Sequence, residues 1–162
     1  MYLIRKANLE DMKGIQSVAK ISWNTTYEGI IPIEIQESFL SSAYSDLMME
    51  NRLKRSFLFV AEANGRVVGF ANFSPIQEDG EVELGAIYLH PENQGQGLGT
   101  ELLQYGIENI SGVKKIYINV EKENKIGRTF YEAKGFKKIS EFDDDFDGHI
   151  LKTVRMVLVL ED

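Results

Sequence analysis

The sequence predicts an α+β domain in which a mixed sheet carries helices on its faces. Three observations lead there. β-rich runs alternate with segments of helical period along the whole chain, in the order βααβββαβαββ. Asn64-Gly65 joins two β-rich runs as a two-residue hairpin. A glycine-rich stretch, Gln94 to Thr100, separates an apolar strand-like run from an amphipathic segment. With 162 residues, 43% of them hydrophobic and 27% charged, the chain fits one domain over residues 1–162 that buries a core of its own.

The elements follow in order. Tyr2 to Lys6 reads as a strand, and Asn8 caps a helix running to about Ile21 with Ile15, Val18 and Ala19 on one face. Pro32 or Ile33 opens a second helical region toward Arg52. Phe57 to Ala63 and Arg66 to Ser74 form the hairpin arms, and Glu81 to Leu89 is the next strand. From Leu98 to Ile110 a helix turns Leu98, Leu102, Leu103 and Ile107 inward. Lys115 to Glu121 is a strand, and Asn124 to Lys134 is a helix stopped by Gly135. Lys137 to Phe142 and Ile150 to Leu160 are the last strands.

Gln94-Gly95-Gln96-Gly97-Leu98-Gly99-Thr100 has the composition of a phosphate cradle. Alternating glycines remove Cβ atoms from one face of a turn, so successive N–H groups close around an anion at a helix N-terminus. A nucleoside-triphosphate loop would need Lys-Ser or Lys-Thr after its last glycine, and Thr100-Glu101 stands there instead. A dinucleotide fingerprint belongs in the first strand-to-helix turn, whereas this loop lies past the chain's midpoint. A plain glycine turn remains the competing reading.

These residues, with those around them, resemble the GNAT superfamily of acetyl-coenzyme-A-dependent N-acetyltransferases. The family's pyrophosphate signature (Gln or Arg, two residues, Gly, one residue, Gly or Ala) maps onto Gln94, Gly97 and Gly99. A second signature maps onto Asn124, Phe130, Tyr131, Gly135 and Phe136, with Gly127 where alanine is usual. The resemblance implies acetyl-coenzyme A as cosubstrate, no metal, an amine acceptor on a small molecule or peptide, and the strand order already read. It implies cofactor contacts from Ile87, Tyr88 and Leu89, from Gln94, Gly95, Gln96, Gly97, Leu98, Gly99 and Thr100, and from Asn124 and Arg128. Members commonly dimerise, so a homodimer is compatible with it. A non-catalytic acyl-coenzyme-A-binding module of the same fold is the alternative.

Acetyl transfer needs a neutral amine, a polarised thioester carbonyl and a proton for the departing thiolate. By the resemblance Tyr131 supplies that proton, and a phenol of ordinary pKa about 10 suits the task. Its other reading is a core aromatic beside Phe130 and Phe136. Glu83 coincides with a glutamate that some members use as base, commonly through water. Simple alternation places Glu81, Glu83, Gly85, Ile87 and Leu89 on one face, where burial would raise the Glu83 carboxyl. A solvated acid at a strand edge is the other reading. Other members carry a glutamate where Asn119 stands here, and asparagine is no base. Trp23 and Tyr27 fall in the region that walls the family's acceptor site, with the core as the alternative for Trp23.

Charge sharpens the partner classes. The net charge is −7, yet Lys114 to Lys138 holds eight cations against three acids, a local +5 that leaves −12 elsewhere. A polyanionic cofactor suits that segment, and nucleic acid is disfavoured by the remainder. No Lys or Arg lies between Arg66 and Lys114, so the glycine loop would hold phosphate mainly through backbone amides. Glu141, Asp143, Asp144, Asp145 and Asp147 read as an acidic hairpin tip that a cationic acceptor would favour. The chain has no cysteine, no signal-like N-terminus and no span-length apolar run, which predicts a cytoplasmic protein away from membranes. His90 and His149 lack metal-like spacing.

Overall fold

The computed structural model describes residues 2–160. Strands β1 (Tyr2–Lys6), β2 (Phe57–Ala63), β3 (Arg66–Phe73), β4 (Glu81–Leu89), β5 (Lys115–Glu121), β6 (Lys137–Phe146) and β7 (His149–Val159) form one sheet in the order β1-β2-β3-β4-β5-β7-β6. All neighbours are antiparallel except β4 and β5. Helices α1 (Met12–Thr26), α2 (Ile33–Ala43), α3 (Asp46–Arg55), α4 (Leu98–Asn109) and α5 (Lys125–Ala133) complete the chain.

Two cores flank the sheet. On one face Leu98, Leu102 and Leu103 of α4 pack on Phe73, Ile116, Ile118 and Val120. On the other, Ile15, Val18, Ala19 and Trp23 of α1 pack on Leu58, Val60, Phe70 and Ala86. The α1 stripe recurs at helical spacing through Trp23, which carries the helix to Thr26, past the expected end near Ile21. Asn8 caps a short 3-10 turn, Leu9–Asp11, that feeds α1.

Two further boundaries differ from expectation. The region after Pro32 is two helices, because Ser45 accepts a hydrogen bond from the Met48 N–H at 3.2 Å and starts α3 afresh. The observed order therefore gains a third helix before β2. The acidic tract is not a hairpin tip: Glu141, Asp143, Asp144 and Asp145 lie within β6, and the turn is Asp147-Gly148, both with positive φ. Lys122 and Lys138 pair with Glu141, and Lys152 lies 3.8 Å from Asp143, so part of that charge is neutralised within the sheet. No described helix is long and apolar enough to cross a membrane.

Candidate active site

The parallel contact between β4 and β5 covers only Glu81–Lys115, Val82–Ile116 and Glu83–Tyr117. Beyond it the strands part, β4 staying with β3 through Leu89 and β5 with β7 through Glu121. Backbone groups along that gap have lost their sheet partners. The His90 N–H donates to Val68 O at 2.7 Å, and antiparallel alternation then directs the Tyr88 N–H toward β3 as well. The N–H groups of Ile87 and Leu89 face the gap, as does the Ile87 carbonyl, while Leu89 O accepts from Ser22 Oγ at 2.6 Å. Tyr88 thus stands apart from its two neighbours.

A bulge corrects the expected face of β4. Phe73 lies opposite Leu84 and Asn72 opposite Ala86, so Gly85 is the extra residue. Val82, Leu84, Ile87 and Leu89 all join the α4-side core, whereas Ala86 and Tyr88 join the α1 side. Glu81 and Glu83 therefore do not share a face with Ile87 and Leu89. One inserted residue inverts the alternation.

The glycine loop leads from β4 into α4. Gly95 and Gly97 have φ of +78° and +80°, and a Cβ on either would meet nothing within 4 Å, so their outer surface is open. Gly97 is the N-cap of α4 without a side-chain cap, which leaves the first N–H groups of the helix for an external acceptor. Such an opening fits a pyrophosphate. Leu98 is buried in the core and offers its backbone alone, with Gly99 and Thr100 next in the turn. A Cβ at Gly99 would sit 3.1 Å from the Phe130 ring, so glycine lets α4 approach α5. Gln94 and Gln96 are exposed, and Gln96 Oε1 accepts from the Tyr2 hydroxyl.

Helix α5 forms the opposite wall. Asn124 Oδ1 caps it by accepting the Gly127 N–H at 3.0 Å. A Cβ at residue 127 would fall 2.7 Å from Asn124 Nδ2, so glycine there makes room for the cap. Arg128 Nη1 donates to Lys122 O at 3.0 Å, and its buried Nε has no partner among the described residues. Tyr131 is half-buried, edge-on to Phe130 and Phe136 at 5.4 and 5.3 Å. Burial, then the nearby Tyr88 phenol, push the Tyr131 phenol well above its ordinary value, so it stays protonated.

The α1 side of the sheet holds further groups, not all of them signalled by the sequence. Arg155 of β7 binds the Glu83 carboxylate with both terminal nitrogens, one to Oε2 at 3.3 Å, and donates to Asn119 Oδ1 at 2.9 Å. Glu83 is 48% exposed at its side chain rather than buried. Tyr88 accepts from the Trp23 indole N–H at 3.0 Å, and burial raises the phenols of Tyr88 and Tyr27. Trp23 is itself interior, stacked on Phe39 and Phe146 at 4.5 and 5.7 Å. Glu121, at the end of β5, is buried, and burial raises its carboxyl. Period-two outward placement with Tyr117 and Asn119 was its only sequence signal; Arg155, 72 residues from Glu83, had none.

A separate cleft of about 790 Å³ lies beside the α1–α2 connection and His149. Asn24, Glu28 and Gln36 line it, and Asn24 Oδ1 and Gln36 Oε1 are buried without partners among the described residues. The Gln36 amide is oriented by its Nε2, which donates to Tyr27 O at 3.3 Å and Ile31 O at 2.9 Å. The described residues contain no cluster of three His, Cys, Asp or Glu able to hold a metal.

Known proteins resemble this chain in sequence and in fold. The model of the acetyltransferase (GNAT) family matches residues 17–136. The uncharacterized N-acetyltransferase YuaI of Bacillus subtilis is 37% identical over 159 residues, covering 95% of this chain and 91% of that protein. A spermidine N(1)-acetyltransferase of Thermoplasma acidophilum is 32% identical over 151 residues, covering 88% of this chain and 92% of its own. Among solved structures, the PaiA N-acetyltransferase of Thermoplasma acidophilum in complex with coenzyme A superposes with a TM-score of 0.85 at 27% identity, covering 99% of both chains.

Proposed function

This chain belongs to the GNAT family of acetyl-coenzyme-A-dependent acetyltransferases, and from that premise we propose that it acetylates a primary amine of a polyamine-like small molecule. The observation that carries the reading is the anionic lining on the acceptor side. Glu121 borders the strand gap with no paired cation among the described residues, Glu83 stands at its root, and Glu28 lines the separate cleft beside the α1–α2 connection with Asn24 and Gln36. Acceptor atoms of this kind suit a ligand carrying several ammonium groups. The likeness to a spermidine acetyltransferase supports the same class.

In this mechanism the pyrophosphate rests on the N–H groups of Gly95 to Thr100 at the start of α4, with Gln94, Gln96, Asn124 and Arg128 around it. The pantetheine arm enters the gap between β4 and β5. The Ile87 and Leu89 N–H groups hydrogen-bond the arm and the thioester oxygen, where negative charge grows during attack. Tyr88 shapes the site through its ring and its bond to Trp23. Tyr131 donates its proton to the departing sulfur, and Tyr27 and Trp23 back the acceptor pocket from α1. Glu83, paired with Arg155, presents a neutralised polar edge to the incoming amine.

Release of free coenzyme A from acetyl-coenzyme A is the test, measured with polyamines, amino acids, aminoglycosides and short peptides. Release driven by polyamines alone supports the proposal. Release driven only by peptides or aminoglycosides would replace the substrate class.

A further inference from the structure

Two carboxylates are buried among the described residues, Asp11 and Glu121. Asp11 meets the Arg5 guanidinium at 2.7 Å. Glu121, 8% exposed, has no Lys, Arg or His paired with it among the described residues. Its Oε2 accepts the Glu123 N–H at 2.8 Å, and the Asn124 N–H also faces the carboxylate, so backbone groups alone meet its charge. A buried carboxylate without a countercharge is costly unless something supplies one.

Its place says what that something is. Glu121 ends β5 on the far side of the gap from β4, three residues before Asn124 caps the helix that bears Tyr131. Alternation sets it with Tyr117 and Asn119 on the face opposite Ile116, Ile118 and Val120, the face that α1 covers. Around it stand Glu123 in its own turn, Arg128 from α5 and Tyr27 from the end of α1. Its register partner on β7 is the uncharged Thr153. Arg128 donates through Nη1 to Lys122 O and lies 4.0 Å from the Glu132 carboxylate, without forming an ion pair with Glu121. Glu83, by contrast, is exposed and already matched by Arg155.

We infer that Glu121 is the catalytic carboxylate that receives the acceptor's ammonium group and takes its proton. This rests on the proposed transfer to an amine. The ammonium gives one proton to Glu121, and the neutral nitrogen attacks the thioester carbon. As the C–N bond forms and the C–S bond breaks, Tyr131 protonates the sulfur. The second nitrogen proton restores the Tyr131 phenol. Free coenzyme A, the amide and one proton on Glu121 result, and that proton leaves to water. Burial raises the Glu121 carboxyl, which makes it the stronger base toward the ammonium proton.

Glu121→Gln isolates the charge, because the glutamine carbonyl still accepts the Glu123 N–H and keeps the turn. The measurement is calorimetric titration of spermidine, butylamine and a short peptide into the complex with coenzyme A, which cannot turn over, between about pH 5 and pH 8.5. For the amine that wild type binds best, Glu121→Gln should weaken binding about tenfold near pH 8, as losing a charged hydrogen bond does. Coenzyme A affinity should not change. Wild-type affinity should fall as pH drops through the Glu121 carboxyl, and the variant should show no such fall. Glu121→Asp, which retains the charge, should recover part of the affinity. Equal binding by wild type and Glu121→Gln across the pH range, including binding of no amine by either, overturns the inference. Failure of the transferase proposal is read separately, as absence of coenzyme A release by wild type with an amine it binds.

Discussion

Arg155 of β7 reaches across β5 to hold Glu83 of β4, and the same guanidinium caps Asn119 between them. The clamp sits where the parallel contact of β4 with β5 ends, so it ties the sheet at the root of the gap. It also lies over the Tyr117 ring at 4.8 Å. A carboxylate so matched differs from Glu121, and the pair of acids on one face have separate work.

Because Glu83 is nearly half exposed, the clamp adds little to global stability. Arg155→Gln and Glu83→Gln should each cost under about 1 kcal/mol in urea unfolding, with a double-mutant coupling of similar size. A coupling several times larger would mean that the root of the gap is held by this pair rather than by the backbone ladder.

Gly97→Asp forces a side chain into φ of +80° and places a negative charge at the α4 N-terminus. Coenzyme A affinity, measured by calorimetry, should fall by about a hundredfold or more. Retained affinity would locate the pyrophosphate elsewhere.

Tyr131→Phe removes one oxygen from a ring whose packing against Phe130 and Phe136 stays intact. Turnover should drop by about a hundredfold with coenzyme A affinity within about twofold of wild type. Equal turnover at every pH would remove the phenol from the reaction.

The two buried carboxylates should respond with opposite signs. Arg5 lowers the Asp11 carboxyl, so its contribution is present above the ordinary carboxylate range and is lost as pH falls through the folded value. Asp11→Asn should cost about 2 kcal/mol at neutral pH, since it also weakens the bond that Asp11 Oδ2 accepts from the Asn8 N–H. Burial raises the Glu121 carboxyl, so ionising it opposes folding as pH rises through that window. Glu121→Gln should therefore melt higher than wild type at pH 7 and lose that advantage in acid. A lower melting temperature at pH 7 would show that the charge is compensated within the fold.

The strands, the Asn64-Gly65 hairpin, the glycine turn before α4 and the helix bearing Tyr131 are legible in the residues alone, because each rests on near-neighbour chemistry: period, turn residues and caps. Tertiary structure decided the rest. The Gly85 bulge becomes visible only when β3 is laid beside β4, and it moved Glu83 off the face of Ile87 and Leu89. Arg155 meets Glu83 across 72 residues of chain, and the missing countercharge at Glu121 is a property of everything packed around it. Pairing, burial and solvent exclusion are set by contacts distant in sequence, and these distinguish a solvated acid from one that awaits an amine.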